Sequence, residues 1–252
     1  SAETEDTFCQ NMMSRDPKIL ELLKTYFEPE DYFHIYNRMI GTGSIGGKAC
    51  GMLLARKIVA KDAPEVFQHM EPHDSYYLGS DVFYTYIVHN KFWRLHISQK
   101  TKEGYFRLAP QIEEAFKNGV FPEATRQQFI RMLEYFGQRP IIVRSSSLQE
   151  DGFGNAFAGK YESVFCINTG DITERLTELE NAVRTVYAST MNLSALEYRK
   201  QRGLGYKDEQ MALLIQRVSG SMYEDFLMPN AAGVGYSYSS YRWSDSLDAS
   251  CG

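Results

Sequence analysis

The stretch from Gly41 to Gly51, GTGSIGGKACG, packs five glycines and one lysine into eleven residues. A segment with so little side-chain bulk lets the backbone approach a partner closely, and the ammonium favours an anionic one. Three readings compete for it. Gly41, Gly43 and Gly46 match the G-x-G-x-x-G of dinucleotide-binding turns, with HIYNRMI at 34–40 as a possible preceding strand and Glu65 near the place of a ribose-binding acid. The segments that follow read mainly as helices, not as repeating strand–helix–strand units, which counts against it. A Walker loop needs glycine where Thr42 stands and a hydroxyl where Ala49 stands, so that reading fails on the residues. The third is a glycine turn opening a helix with Lys48 in solvent. A helix start with free N–H groups and a nearby ammonium suits phosphate whatever the family. Gly46, Gly47 and Lys48 would form half of such a site.

The other half is VRSSSLQEDGFGNAFAGKYES, 143–163. Arg144 ends a short apolar strand pattern, PIIVRSSS, and Ser145, Ser146 and Ser147 follow at once. A guanidinium is always charged and presents a planar fork to phosphate oxygens. A second glycine loop, with Gly152, Gly154 and Gly159 around Phe157, comes next. An arginine at a strand end, a lysine at a helix start and two flexible loops suit a polyphosphate held from two sides, which is what phosphoryl transfer requires. The plainer alternative pairs Arg144 with Glu150 or Asp151 and leaves the serines as a turn.

Around these motifs the pattern predicts helices from Asp16-Pro17 to Phe27, after the glycine run to Val59, at 82–95, 110–117, 123–136, 171–188 and 194–202. Strands are expected at YYLGS (76–80), at 140–147, from Tyr161, at 212–218 and at 232–238. Helices dominate to residue 139 and strands become frequent after it. This predicts an α+β architecture in two lobes, 1–139 mainly helical with the GGK loop and 140–252 rich in strand.

The chain has 252 residues, 27 Lys and Arg against 32 Asp and Glu, and a formal charge of −5, a balance that does not favour a broad nucleic-acid footprint. Cys9, Cys50, Cys166 and Cys251 are widely spaced and form no CxxC pair, which argues for a reducing compartment and against a zinc site or a disulfide framework. The five histidines show no metal-ligand spacing, and no metal ligand is proposed. No apolar run has the length of a membrane span and no signal-peptide pattern opens the chain, so a cytoplasmic address is expected. Cys50, in the first turn of a helix, is read as a buried, inert thiol. The Tyr-rich GVGYSYSSYRW tail is read as a half-exposed strand, not a base-stacking platform.

IGGKACGM, IIVRSSSLQED, NAFAGKYESVFCIN, VRTVYAST, ALLIQRV and AAGVGYSYS occur in the order and spacing of a known module. From about Ile40 onward the chain resembles the N-terminal ATP-binding domain of the pyruvate phosphate dikinase and phosphoenolpyruvate synthase family. The resemblance implies an ATP-grasp-type fold and a transfer from ATP to a histidine on a swivelling domain, then to pyruvate on a third. It implies that Lys48, after Gly46 and Gly47, and Arg144, before Ser145, contact the ATP phosphates and carry the catalytic role. It also implies that Asn155–Gly159, including Phe157, Ala158 and Gly159, covers them, and that Gln216 lies near the adenine. Ala156 and Lys160 depart from the family's Ser and Gln, removing a hydroxyl and adding a charge. The family's Mg²⁺ ligands, its phosphohistidine domain and its pyruvate-binding domain are expected beyond residue 252. The chain alone is therefore expected to bind ATP weakly and not to complete the reaction. A glucan or a rifamycin as acceptor, or a non-catalytic nucleotide-binding role, are the alternatives to pyruvate.

Overall fold

A computed structural model describes residues 9–148, 159–205, 207–233, 235, 248 and 250. The chain divides into two compact units, Ser1–Arg217 and Val218–Gly252.

In the first unit, helical residues 9–12 precede α1 (Pro17–Tyr26) and α2 (Pro29–Tyr36). The Asp16 carboxylate accepts from Lys18 N and Ile19 N and Pro17 supplies a preset φ, so α1 starts where the sequence predicts. Next come β1 (Met39–Ile40), α3 (Gly47–Asp62), a single turn α4 (Pro64–Phe67) and β2 (Ser75–Leu78). HIYNRMI is therefore the end of α2 (34–36), a turn at Asn37 and Arg38, and a strand only in its last two residues. The expected helix at 82–95 is two, α5 (Ser80–His89) and α6 (Trp93–Gln99). Asn90 Nδ2 donates to Tyr86 O at 2.8 Å and to Val120 O at 2.9 Å, and Lys91 turns the chain with φ 62°. The side-chain amide thus takes over a carbonyl at the end of α5 and breaks the continuation.

Helices α7 (Ala109–Asn118) and α8 (Glu123–Phe136) lead to β3 (Ile141–Ser145), then β4 (Ser163–Cys166), α9 (Ile172–Ser189), α10 (Leu193–Gln201) and β5 (Leu213–Arg217). The sheet order is β1-β2-β5-β3-β4, with β1 parallel to β2 and every other pair antiparallel. The fold is α+β with a mixed sheet, and its strands come from both sides of residue 139.

Strand alternation gives that sheet two unlike faces. Ile40, Leu78, Ile141, Val143, Cys166, Leu213 and Ile215 join the main core, which includes Phe83, Tyr86, Phe116, Phe129 and Tyr187 from the helices. Each such side chain contributes about 1.5–3 kcal/mol when fully buried. Buried Arg175 on α9 ties this core to the end of α8, donating to the carbonyls of Leu133 and Gly137 and to Asn168 Oδ1. On the opposite face Met39, Tyr77 and Leu214 pack with Ala49, Cys50, Leu53 and Leu54 of α3 and with Leu23 of α1. Among the described residues that covering reaches only part of the sheet. Register puts Ile142, Arg144, Gln216, Ser163 and Phe165 on the same face, and Phe165 is 68% exposed.

In the second unit, β6 (Ser221–Tyr223) and β7 (Phe226–Met228) form a hairpin turning at Glu224, φ 55°. No glycine or asparagine marks that turn, which is why the sequence pattern does not show it. The expected strand at 232–238 lies mostly outside the described residues, and Ala232, Gly233 and Gly235 are exposed and not in strand.

Candidate nucleotide-binding site

The glycine run is two devices in series. In its first half, Thr42 N and Gly43 N donate to the Asp81 carboxylate at 3.0 and 2.7 Å, and Ser44 N donates to Ser80 Oγ at 3.1 Å. Consecutive backbone N–H groups make an anion-binding concavity, and here the anion is the protein's own carboxylate at the start of α5. The glycines permit the approach: a Cβ at Gly41 would lie 2.6 Å from Asp81 Oδ1, and one at Gly43 2.7 Å from Asp81 N. The G-x-G-x-x-G match therefore reflects internal packing, not a dinucleotide turn.

The second half meets the serine triplet. Gly46 has φ +82°, and a Cβ there would stand 1.3 Å from Ser146 O. Gly47 N donates to Ser147 O at 3.0 Å, and Ala49 N donates to Ser146 Oγ at 3.0 Å, while Ser146 Oγ donates to Ile45 O at 2.8 Å. Two of the N–H groups that the sequence suggests are free at the start of α3 are thus occupied by Ser146 and Ser147. Both serines are fully buried and take part in the join.

What the join leaves for an anion is side-chain charge. Lys48 Nζ donates to Ser145 O at 2.8 Å and to Ser145 Oγ at 3.2 Å, which puts the ammonium at the end of β3. Arg144, half-buried on the uncovered face, donates from Nη1 to Gln216 Oε1 at 3.3 Å. Gln216 Nε2 reaches Met52 Sδ at 3.2 Å, and Met52 is one helical turn beyond Lys48 on α3. Lys48 thus meets Ser145, and Arg144 meets Gln216, at consecutive positions of β3 beside α3. Gly46 and Gly47 lie beneath them in the join. Gly159 is exposed, with φ 69° and no described atom within 4 Å of where a Cβ would stand; Phe157 and Ala158, like Glu150, Asp151 and Ala156, lie outside the described residues.

Cys50 fits its sequence reading: burial, then the neighbouring Cys9, pushes its thiol up to about 12, so no thiolate forms there. Asp81, Ser75 and Met52 were not singled out in the sequence. Asp81 sits in an ordinary helix-start pattern after Gly79-Ser80, and only the fold brings it to the glycine run. Among the described residues no group of three or more His, Cys, Asp or Glu side chains could hold a metal ion, and no helix is long and apolar enough to cross a membrane.

A lysine at a helix start and an arginine at the adjoining strand end, beside an uncovered stretch of sheet, suit a domain that holds a polyphosphate. Residues 42–247 match the family described as pyruvate phosphate dikinase, AMP/ATP-binding domain. The match covers most of the chain, and the chain belongs to that family. Its fold is accordingly an ATP-grasp-like nucleotide-binding domain, and the family places it among ATP-binding domains of phosphotransferases. Comparison with curated proteins gives no match.

Proposed function

We propose that this chain is the ATP-holding part of a phosphotransferase that passes a phosphoryl group from ATP to a histidine on a swivelling domain and on to pyruvate, in the manner of phosphoenolpyruvate synthase or pyruvate phosphate dikinase. The observation that supports the reading is that Lys48 reaches Ser145 while Arg144, the preceding residue on β3, reaches Gln216. Lys48 supplies a point charge and Arg144 a planar fork, and together they offset the charge of a triphosphate. The face bearing Ile142 and the exposed Phe165 offers an apolar platform beside them, and Gln216 lies near the base in this reading. Gly159, with Phe157 and Ala158, belongs to the segment that covers the phosphates.

Mg²⁺ accompanies the nucleotide in this reading, and its ligands are expected outside the described residues. The swivelling and pyruvate-binding domains, a cytoplasmic address and a division into a mainly helical lobe, 1–139, and a strand-rich lobe, 140–252, belong to the same proposal.

Calorimetric titration of ATP with Mg²⁺ tests it, using the chain and its Lys48→Ala and Arg144→Ala variants. Each substitution is expected to weaken binding about 10- to 100-fold, the scale of a charged hydrogen bond. Equal affinity in all three proteins removes both residues from the site. In the full-length protein, ATP is expected to leave an acid-labile phosphohistidine, and pyruvate to discharge it; label that persists when pyruvate is added refutes pyruvate as the acceptor.

A further inference from the structure

From Arg144 a chain of hydrogen bonds runs along the sheet to groups that the nucleotide reading does not use. Arg144 Nη1 donates to Gln216 Oε1 at 3.3 Å. Gln216 Nε2 lies 3.3 Å from Ser75 Oγ, and Ser75 Oγ lies 3.1 Å from His73 Nδ1. Strand register makes the chain possible. Gln216 stands opposite both Ser75 on β2 and Ile142 on β3, two residues from Leu214, which stands opposite Arg144. Ser75 is only 4% exposed, so its hydroxyl has to find protein partners.

A glutamine amide has a donor end and an acceptor end of nearly the same shape. A guanidinium only donates, so Arg144 is held only if Oε1 faces it; a flipped amide would set donor against donor. Nε2 must then be accepted on the other side. Met52 Sδ, at 3.2 Å, is a weak acceptor, and Ser75 Oγ is the strong one. The hydroxyl is free to accept from Gln216 when its own proton goes to His73 Nδ1. Although His73 is exposed, desolvation of its ring first, and Arg56 next, lower its pKa against an opposing effect of Asp74, which favours the neutral ring; in the tautomer protonated at Nε2, Nδ1 accepts that proton.

We propose that Ser75 is a positioning residue for Arg144: its hydroxyl, directed toward His73, sets the Gln216 amide with its carbonyl outward and so fixes the guanidinium. This deepens the nucleotide-binding reading and rests on it for the ligand.

The test combines ATP titration with ¹⁵N spectra of the ligand-free chain, observing Arg144 Nε–H and the Gln216 side-chain amide. Ser75→Ala is expected to weaken ATP about fivefold, the worth of one ordinary hydrogen bond, and to move both signals. Ser75→Thr, which keeps the hydroxyl, is expected to restore both. In Gln216→Glu either carboxylate oxygen can accept from Arg144, so orientation no longer matters; adding Ser75→Ala there is expected to cost no further affinity. Should Ser75→Ala fail to fold, Ser75→Cys keeps the volume and takes its place with the same expectations. Unmoved Arg144 and Gln216 signals in Ser75→Ala overturn the proposal, as does an equal loss in the Gln216→Glu background. If the unsubstituted chain binds no ATP, the nucleotide reading falls, while the ligand-free spectra still decide the role of Ser75.

Discussion

The Lys48 ammonium is tied to the main-chain oxygen of Ser145, ninety-seven residues away in sequence, at 2.8 Å. This bond and those of Ser146 and Ser147 make the first turn of α3 and the segment ending β3 one unit. The charge that would meet a phosphate is therefore anchored in the fold and not carried on a loose loop.

Gly46→Ala is expected to be strongly destabilising, by about 3 kcal/mol or more, because the new methyl collides with Ser146 O at a positive φ. Gly51→Ala, five residues on in α3 with open space at its Cβ, is expected to stabilise by about 0.5–1 kcal/mol. Urea unfolding of the two variants gives the contrast directly.

Ser146→Ala removes one donor to Ile45 O and one acceptor for Ala49 N in a fully buried setting. A loss of about 1–3 kcal/mol is expected. Because this residue serves the join, ATP affinity measured well below the melting temperature is expected to fall by less than in Lys48→Ala.

Adjacent strands of the sheet should respond oppositely. Ile141→Ala on the core face is expected to cost about 2–5 kcal/mol, since that side chain is fully buried. Phe165→Ser, on the uncovered face, is expected to change stability by no more than about 0.5 kcal/mol. A large loss from Phe165→Ser would mean that this face is covered.

Stability should also fall with acid through His96, which is 3% exposed and beside Lys100 and Arg199. Burial first, then those two cations, lower its pKa to about 4. Asp208 Oδ1, 3.5 Å from Nε2, would favour the charged ring, yet that carboxylate is engaged by Lys100 and Tyr84, so the lowering prevails. Between pH 6.5 and about 4 the unfolded chain binds the proton and the folded one does not. Stability is therefore expected to decrease as pH drops through that window and to level off below it, by about 3 kcal/mol in total. His96→Asn should flatten the slope in pH-dependent urea titrations.

Much of this architecture was legible in the sequence because its signals are local. Asp16-Pro17 and Pro122/Gly137 mark helix limits through caps and φ preferences, and the Ile141–Ser145 strand shows its burial in composition. The α5–α6 break was not legible, since it depends on Asn90 reaching Val120, thirty residues away. At the site, Lys48 and Arg144 announced themselves by charge in an apolar context. What the glycines touch did not: Asp81 and Ser146 are polar residues of ordinary type, and only strand register and helix placement bring them to Gly43 and Gly46. The chain His73–Ser75–Gln216 is hidden for the same reason.

The Asp81 nest has a consequence in time as well as in space. The amides of Thr42 and Gly43 can trade their protons with water only when the carboxylate lets go. A segment whose composition suggests the softest part of the chain would then exchange its amide protons more slowly than an open loop does.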